Sequence, residues 1–281
     1  MNPWQYHSAQ DLGLEANQRY CSPLRETVFT QNLVRLGWLA SIRLIFKCWN
    51  RLEIHGLENV PVTPPFVVTA NHSSHLDALV IASALSLQWR DRISPLAAGD
   101  YFFCSKPRAG LSATVLNAPP IWRDRRYGQR HELGDLRERL IGQSAVYIVF
   151  PEGSRSRDGE LHAFKPGFAT LVAGTNVPVL PCLLSGSFAA LPPDKALVRP
   201  RKIALHIGAP MTFAAVANHA AGWREICVCI REQTVTLQRR NLSAEARRHD
   251  DWRARWRFNF RFARRLLARR LHHGTAVPDI Y

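Results

Sequence analysis

Phe66-Val67-Val68-Thr69-Ala70-Asn71-His72-Ser73-Ser74-His75-Leu76-Asp77 is the stretch on which the reading of the whole chain turns. Phe66–Ala70 is a short run, apolar apart from Thr69, that follows Pro64-Pro65. Such a run reads as a strand buried on both faces. Polar residues follow at once, and Asp77 to Leu87 reads as a helix. A strand that turns directly into a helix is the unit of an α/β fold, which exposes its chemistry at the carboxyl edge of the sheet.

The turn holds His72 and Asp77, five residues apart. On one continuous helix they would point about 140° apart, at ~100° per residue. With His72 on the turn before the helix, the two converge. An imidazole held by a carboxylate is a general base, because the carboxylate sets the tautomer and stabilises the imidazolium. The same string has a structural reading, in which Asn71 or Ser73 caps the helix and Asp77 complements its dipole. Taken alone, the string favours that second reading. His75 is another imidazole here, but it lies only two residues before Asp77 and is worse placed as the base.

Outward from this turn the alternation continues. Leu133, Leu136 and Leu140 mark a helical face that ends at Gly142. Val146 to Phe150 reads as a second buried strand, stopped by Pro151. Phe168 to Ala173 reads as a short helix, Val179 to Leu184 and Lys202 to Ile207 as strands, and Ile226 to Leu237 as a helix. Apolar strands alternating with helices predict an α/β class with a mixed, largely parallel sheet flanked by helices.

The chain has 281 residues, 46% of them hydrophobic and 21% charged. Those proportions exclude a disordered chain or a fibrous repeat. The unusual quantity is a net charge of +15, which suggests a polyanionic partner, nucleic acid or an anionic membrane surface. The six cysteines, Cys21, Cys48, Cys104, Cys182, Cys227 and Cys229, form no C-x-x-C and no zinc-ligand spacing. They read as reduced thiols of a cytosol-facing protein. Residues 1–20 are polar and include Asp11 and Glu15, unlike a secretory signal peptide.

The charge is concentrated at the two ends. Leu33 to Arg51 predicts a helix with Arg35, Arg43, Lys47 and Arg51 on one stripe and Val34, Trp38, Ile42, Ile45 and Trp49 on an apolar face. Its wide apolar arc suits a headgroup boundary, although a helix packed on the domain would share the pattern. Between Arg247 and Arg270 ten arginines face only Asp250 and Asp251, a net +8 of the total. Trp252, Trp256, Phe260, Ala263, Leu267 and Leu271 recur there at helical spacing. This tail reads as a basic amphipathic helix, either on a lipid surface or docked on the domain. No recognition helix, RNA-binding strand motif or zinc finger accompanies the charge, so no nucleic acid is expected as partner. Three segments follow: 1–50 with the membrane-associating helix, 51–240 as the central domain, and 241–281 as the basic tail.

Three further blocks bear on chemistry. Phe150-Pro151-Glu152-Gly153-Ser154-Arg155-Ser156 follows the second strand, and Lys165 comes shortly after it. Arg155 and Lys165 suit a phosphate, and Gly153 lets backbone approach a ligand. The bland reading is a polar turn with a solvated Arg. Ile121-Trp122-Arg123 brings another Arg, inside a basic run that continues through Arg125 and Arg126. Val177-Pro178-Val179-Leu180-Pro181 brackets a strand entry and reads as structural.

Taken together, Asn71-His72…Asp77, Ile121-Trp122-Arg123, Phe150–Ser156 and Val177–Pro181 resemble, in this order, the motifs of the glycerolipid acyltransferase family, which includes the 1-acyl-glycerol-3-phosphate acyltransferases. The resemblance spans roughly residues 50–210. Two details depart from the family pattern: Asn117-Ala118-Pro119-Pro120 replaces a usual Gly before the hydrophobic-Arg pair, and Ser154 replaces the commoner Thr. The resemblance implies transfer of a fatty acyl group from acyl-CoA or acyl carrier protein to a lysophospholipid hydroxyl, by family default that of 1-acyl-glycerol-3-phosphate, with another lyso-lipid as the alternative acceptor; the thiols and the basic helices place the protein on the cytoplasmic face of a membrane. It implies His72 as base and Asp77 as its orienting partner. Arg123, Arg155 and Lys165 would hold the acceptor phosphate, with Glu152, Gly153 and Ser154 shaping the pocket. No metal or cofactor is implied beyond the thioester co-substrate. The tetrahedral intermediate needs oxyanion donors, which the sequence does not name; backbone N–H groups near Ser73 or Ser74 are candidates. A hydrolase using the same base on water is the competing enzyme reading.

Overall fold

In the computed structural model, residues 13, 29–98, 120–121, 129–193, 195 and 197–272 are described. Residues 1–12, Cys21, Cys104 and the run Trp122–Arg126, which includes Arg123, lie outside them, as do the side chains of Arg35 and of residues 248–272. Backbone contacts divide the chain into two units, Met1–Val235 and Thr236–Tyr281.

The first unit is built on a six-stranded sheet. In chain order its strands are β1 (Glu53–His55), β2 (Phe66–Ala70), β3 (Ile93–Pro95), β6 (Val146–Val149), β7 (Val179–Ser185) and β8 (Ala204–Ile207). Two short strands between them, β4 (Ala97–Ala98) and β5 (Pro120–Ile121), pair with each other in parallel. The spatial order of the large sheet is β1-β8-β7-β2-β6-β3. Every pairing is parallel except β7 with β8, so β8 and β1 run against the rest. The expected mixed, largely parallel sheet is present, and β2 lies inside it between β7 and β6.

Each face of β2 is covered, which explains its nearly unbroken apolar sequence. Phe66, Val68 and Ala70 point to one side and join Val80 and Ile81 of helix α2 (Asp77–Ala84) and Leu39, Ile42 and Phe46 of helix α1 (Phe29–Cys48). Val67 points to the other side, toward Leu136 and Leu140 of helix α3 (Gln129–Gly142) and toward Ile226 and Ile230. The alternation of side chains along a strand thus separates two cores. The short helix expected over Phe168–Ala173 is a 3-10 helix over Pro166–Leu171, two residues earlier. Pro166 opens it, where the missing N–H would have no intrahelical partner anyway.

Helix α1 departs from the expected faces. Ile42 is buried with Leu39 and Phe46, whereas Leu33, Val34, Trp38, Leu44, Ile45 and Trp49 are exposed. Arg43 is not on a solvated stripe. Its Nε donates to the carbonyl of Ser83 at 2.6 Å, and its Nη2 donates to the carbonyl of Leu85. A guanidinium is thereby fixed on the orphan carbonyls at the C-terminal end of α2, where the helix dipole favours positive charge. No helix among the described residues is long and apolar enough to cross a membrane.

After β7 comes the one-turn helix α4 (Ser187–Ala190). The last helix, α5, runs Ala220–His272, so the helix expected from Ile226 starts earlier, and the basic tail is helical to His272. In the second unit, taken by itself, Asn241 Nδ2 donates to Glu245 Oε1 at 3.2 Å, one turn along.

Candidate active site

Strands β2 and β6 are parallel neighbours, with Thr69 beside Val149. Their carboxyl ends therefore release Asn71-His72 and Phe150-Pro151-Glu152 side by side. This is the sheet edge at which α/β folds collect functional groups. Asn71 does not cap the helix. Its Nδ2 donates to the carbonyl of Leu184 at 3.0 Å, and its Oδ1 accepts the Leu184 N–H at 2.7 Å. The side chain thus mimics a strand residue and ties the turn to β7.

The next five residues curl so that His72 and Asp77 meet, with His72 Nδ1 2.9 Å from Asp77 Oδ2. Asp77 is fully buried, and the His72 side chain is 21% exposed. The same Oδ2 accepts the Ser73 N–H at 2.7 Å and the Ser74 N–H at 2.8 Å. Three donors on one oxygen fix the position of the side chain. These contacts also correct one expectation: the Ser73 and Ser74 N–H groups point at Asp77 and are not available as oxyanion donors. An acceptor at Nδ1 requires a hydrogen there, which leaves Nε2 as the basic nitrogen. Phe150 stacks on the His72 ring, with centroids 4.1 Å apart and 17° between planes, and sets its orientation.

The Phe150–Ser156 turn is joined to His72 through main-chain atoms. The buried Glu152 accepts the His72 N–H on Oε1 at 2.9 Å and the His162 N–H on Oε2 at 3.3 Å. The Ser156 N–H donates to the His72 carbonyl at 2.7 Å. Burial pushes the Glu152 carboxyl up from its ordinary range, against the opposing pull of those two backbone donors and of nearby His162 and His72. Both Glu152 oxygens are thus held by backbone, which makes the residue a brace between the two turns.

Gly153 has φ of 74°, the left-handed region. A Cβ there would lie 2.9 Å from Lys165 Cδ and 3.0 Å from its Nζ, so Lys165 lies across the glycine. Ser154 and Lys165 are exposed, and Arg155 is half-buried. Arg155 Nη1 is hydrogen-bonded to His75 Nε2. Nothing in the sequence signalled that contact, because the two residues are 80 apart. Burial lowers the His75 pKa below its ordinary value, helped by Arg155 and His72 and opposed by Asp77. The structure therefore gathers His72, Asp77, Glu152, Gly153, Arg155 and Lys165 at one edge of the sheet, while Arg123 lies outside the described residues. No cluster of three or more His, Cys, Asp or Glu able to hold a metal occurs among the described residues.

Residues 51–185 match the family model described as Acyltransferase. The mouse 1-acyl-sn-glycerol-3-phosphate acyltransferase alpha is 31% identical over 135 residues, covering 48% of this chain and 45% of that protein. A chloroplastic 1-acyl-sn-glycerol-3-phosphate acyltransferase of Brassica napus is 34% identical over 151 residues, covering 50% of this chain and 39% of that protein. The chain thus spans less than half the length of these curated relatives. The crystal structure of the 1-acyl-sn-glycerophosphate acyltransferase of Thermotoga maritima superposes with a TM-score of 0.55 at 22% identity, covering 75% of this chain and 81% of that one. At that identity the likeness establishes a shared fold.

Proposed function

We propose that this chain, whose residues 51–185 match the Acyltransferase family model, is a glycerolipid acyltransferase that moves a fatty acyl group from an acyl thioester to a lysophospholipid hydroxyl. The preferred acceptor is 1-acyl-glycerol-3-phosphate, the substrate after which its relatives are named. The donor is acyl-CoA or acyl carrier protein. The observation that carries the reading is the His72 imidazole, held at Nδ1 by a buried carboxylate beside a turn that bears Arg155.

In this reading, His72 Nε2 takes the proton of the acceptor hydroxyl as its oxygen attacks the thioester carbonyl. The ester C–O bond forms and the C–S bond breaks. The departing sulfur recovers the proton from the imidazolium, which Asp77 stabilises meanwhile. No acyl-enzyme is required, because the acceptor is the nucleophile and a thiolate leaves readily. Arg155 and Lys165 bind the acceptor phosphate, Arg155 as a planar fork, and Arg123 adds to them. Gly153 keeps the turn open to the ligand, and Ser154 offers a hydroxyl at its rim.

The enzyme works at an anionic membrane surface on its cytoplasmic side. The exposed apolar arc of α1, with Trp38 at its middle and Ile45 and Lys47 near its end, supports that placement. One experiment tests the reading: radiolabelled acyl-CoA, acyl carrier protein thioester and a panel of lysolipids in anionic vesicles, with wild type and His72→Ala. Wild type should form a diacyl product, and His72→Ala should lose at least ~10³-fold in rate while still folding and sedimenting with vesicles. Free fatty acid released without acceptor would instead identify a hydrolase.

A further inference from the structure

The sequence motif assigns roles to His72 and Asp77 but none to the imidazole between them. His75 lies on the turn that leads into α2, half-buried, and its Nε2 meets Arg155 Nη1. A guanidinium has only donors. His75 Nε2 is therefore the acceptor, and its hydrogen, in the neutral ring, is on Nδ1. We propose that His75 is a positioning residue whose neutral ring aims Arg155 at the phosphate of the acceptor, and whose protonation releases that arginine.

This inference rests on the reading that Arg155 binds the acceptor phosphate. Among the described residues, the charged and titratable groups facing His75 include Arg155 from the Phe150–Ser156 turn, and His72 and Asp77 from its own. Arg155 and a protonated His72 repel a second cation, and Asp77 attracts one. Its attraction is shared, because the same carboxylate oxygen already accepts three N–H groups. Protonation of His75 removes the lone pair that Arg155 Nη1 uses and places two positive groups in contact. The guanidinium then loses its fixed direction, though not its charge. Acceptor binding weakens, while the His72 ring keeps its hydrogen bond to Asp77. His75 thus separates the acidic limb of acceptor KM from the acidic limb of kcat.

The test uses the full chain in anionic vesicles, with 1-oleoyl-glycerol-3-phosphate as acceptor and acyl-CoA at saturation. Acceptor KM and kcat are measured from pH 5 to 8.5 for wild type, His75→Gln and His75→Phe. Gln offers an acceptor oxygen near the Nε2 position and does not titrate. It should keep acceptor KM within about two-fold of wild type at pH 8 and flatten the rise in KM on acidification. The phosphate of the acceptor titrates equally in both assays and so cancels. Phe removes the acceptor atom and should raise KM roughly five- to twenty-fold at all pH values, with a much smaller change in kcat.

Nitrogen-15 spectra of histidine-labelled protein supply a reading independent of turnover and of variant folding, with His75 assigned by its absence in His75→Gln. Wild-type His75 should carry its hydrogen on Nδ1 and protonate below 6.5, and Arg155→Gln should raise that midpoint. An Nε2–H tautomer, or equal KM in His75→Phe and wild type, overturns the proposal. Failure of the underlying reading looks different: wild type then acylates no lysolipid, and the role given to His75 falls with that of Arg155 even where the spectra show the contact.

Discussion

Replacing Asp77 by Asn separates the charge of this residue from its shape. The carboxylate is fully buried, and its Oδ2 accepts from His72 Nδ1, Ser73 N–H and Ser74 N–H at 2.9, 2.7 and 2.8 Å. Asn can keep all three bonds only by turning its oxygen toward the donors. Its NH2 then occupies the position of Oδ1, a buried atom with no hydrogen-bond partner among the described residues. A buried unsatisfied donor costs about 1–3 kcal/mol. Three bonds that lose their charge assistance cost about 1 kcal/mol each. Removing an ion from the interior offsets several kcal/mol of that loss. The net change in stability is therefore small, about 1–3 kcal/mol. The catalytic loss is larger. Without the anion the imidazolium is unsupported, and a flipped amide would place the hydrogen of the ring on Nε2. In the serine-protease triad, where a buried carboxylate likewise orients the base, the equivalent change lowers kcat about 10⁴-fold, so a fall of about 10²–10⁴-fold is expected here. Turnover with labelled acyl-CoA and lysolipid gives kcat, and urea unfolding gives stability. Retention of more than a tenth of wild-type kcat, in a variant as stable as expected, would refute the assignment of Asp77 to the base.

Asn71→Ala leaves the Leu184 N–H and carbonyl unpaired inside the protein, so unfolding should become easier by about 2–4 kcal/mol, with kcat nearly normal in the fraction that stays folded; denaturant titration reads the first and active-site-normalised turnover the second. Gly153→Ala forces a Cβ to within 2.9 Å of Lys165 Cδ at a φ of 74°, so it should cost about 1–2 kcal/mol and raise acceptor KM more than it lowers kcat. The lowered pKa of His75 means that the unfolded chain binds its proton first as pH falls below 6.5. This contribution to stability is complete above pH 6.5 and is lost as pH falls through the lower folded value. Glu152, with its raised pKa, acts with the opposite sign, losing stability as pH rises from 4.5. The difference between wild type and His75→Gln in urea midpoints from pH 7 to 5 isolates the histidine, and a wild type that loses no more stability than the variant would count against it.

The turn at His72 was legible because its parts are local. A buried strand, a polar turn and a helix start occupy consecutive residues, and their geometry brings a residue to meet one five positions on. The contacts of Glu152 and Arg155 were not legible, because they depend on β2 and β6 being neighbours with Thr69 beside Val149. No local pattern states that pairing. The reversal of β8 against β7 is hidden for the same reason, since a short apolar strand reads alike in either direction. Helix α1 was legible as a helix but not in its orientation: apolar residues occupy most of its circumference, so periodicity does not choose between the arc of Leu39, Ile42 and Phe46 and that of Val34, Trp38 and Ile45. The sheet chooses the first. Arg43 followed a basic stripe by spacing, but the end of α2 passes within its reach and captures it.

The main-chain stitching of His72 to the Phe150–Ser156 turn limits how acceptor preference can be altered. Glu152 and the Ser156 N–H grip the N–H and the carbonyl of the very residue that carries the base. Grafting a relative's turn to recognise a different headgroup would therefore drag the imidazole with it, and a lower rate would accompany any new selectivity. Engineering of headgroup choice is better directed at side chains that project from the turn, Ser154 and Arg155, and at Lys165 opposite them, leaving Glu152 and the backbone of Ser156 in place.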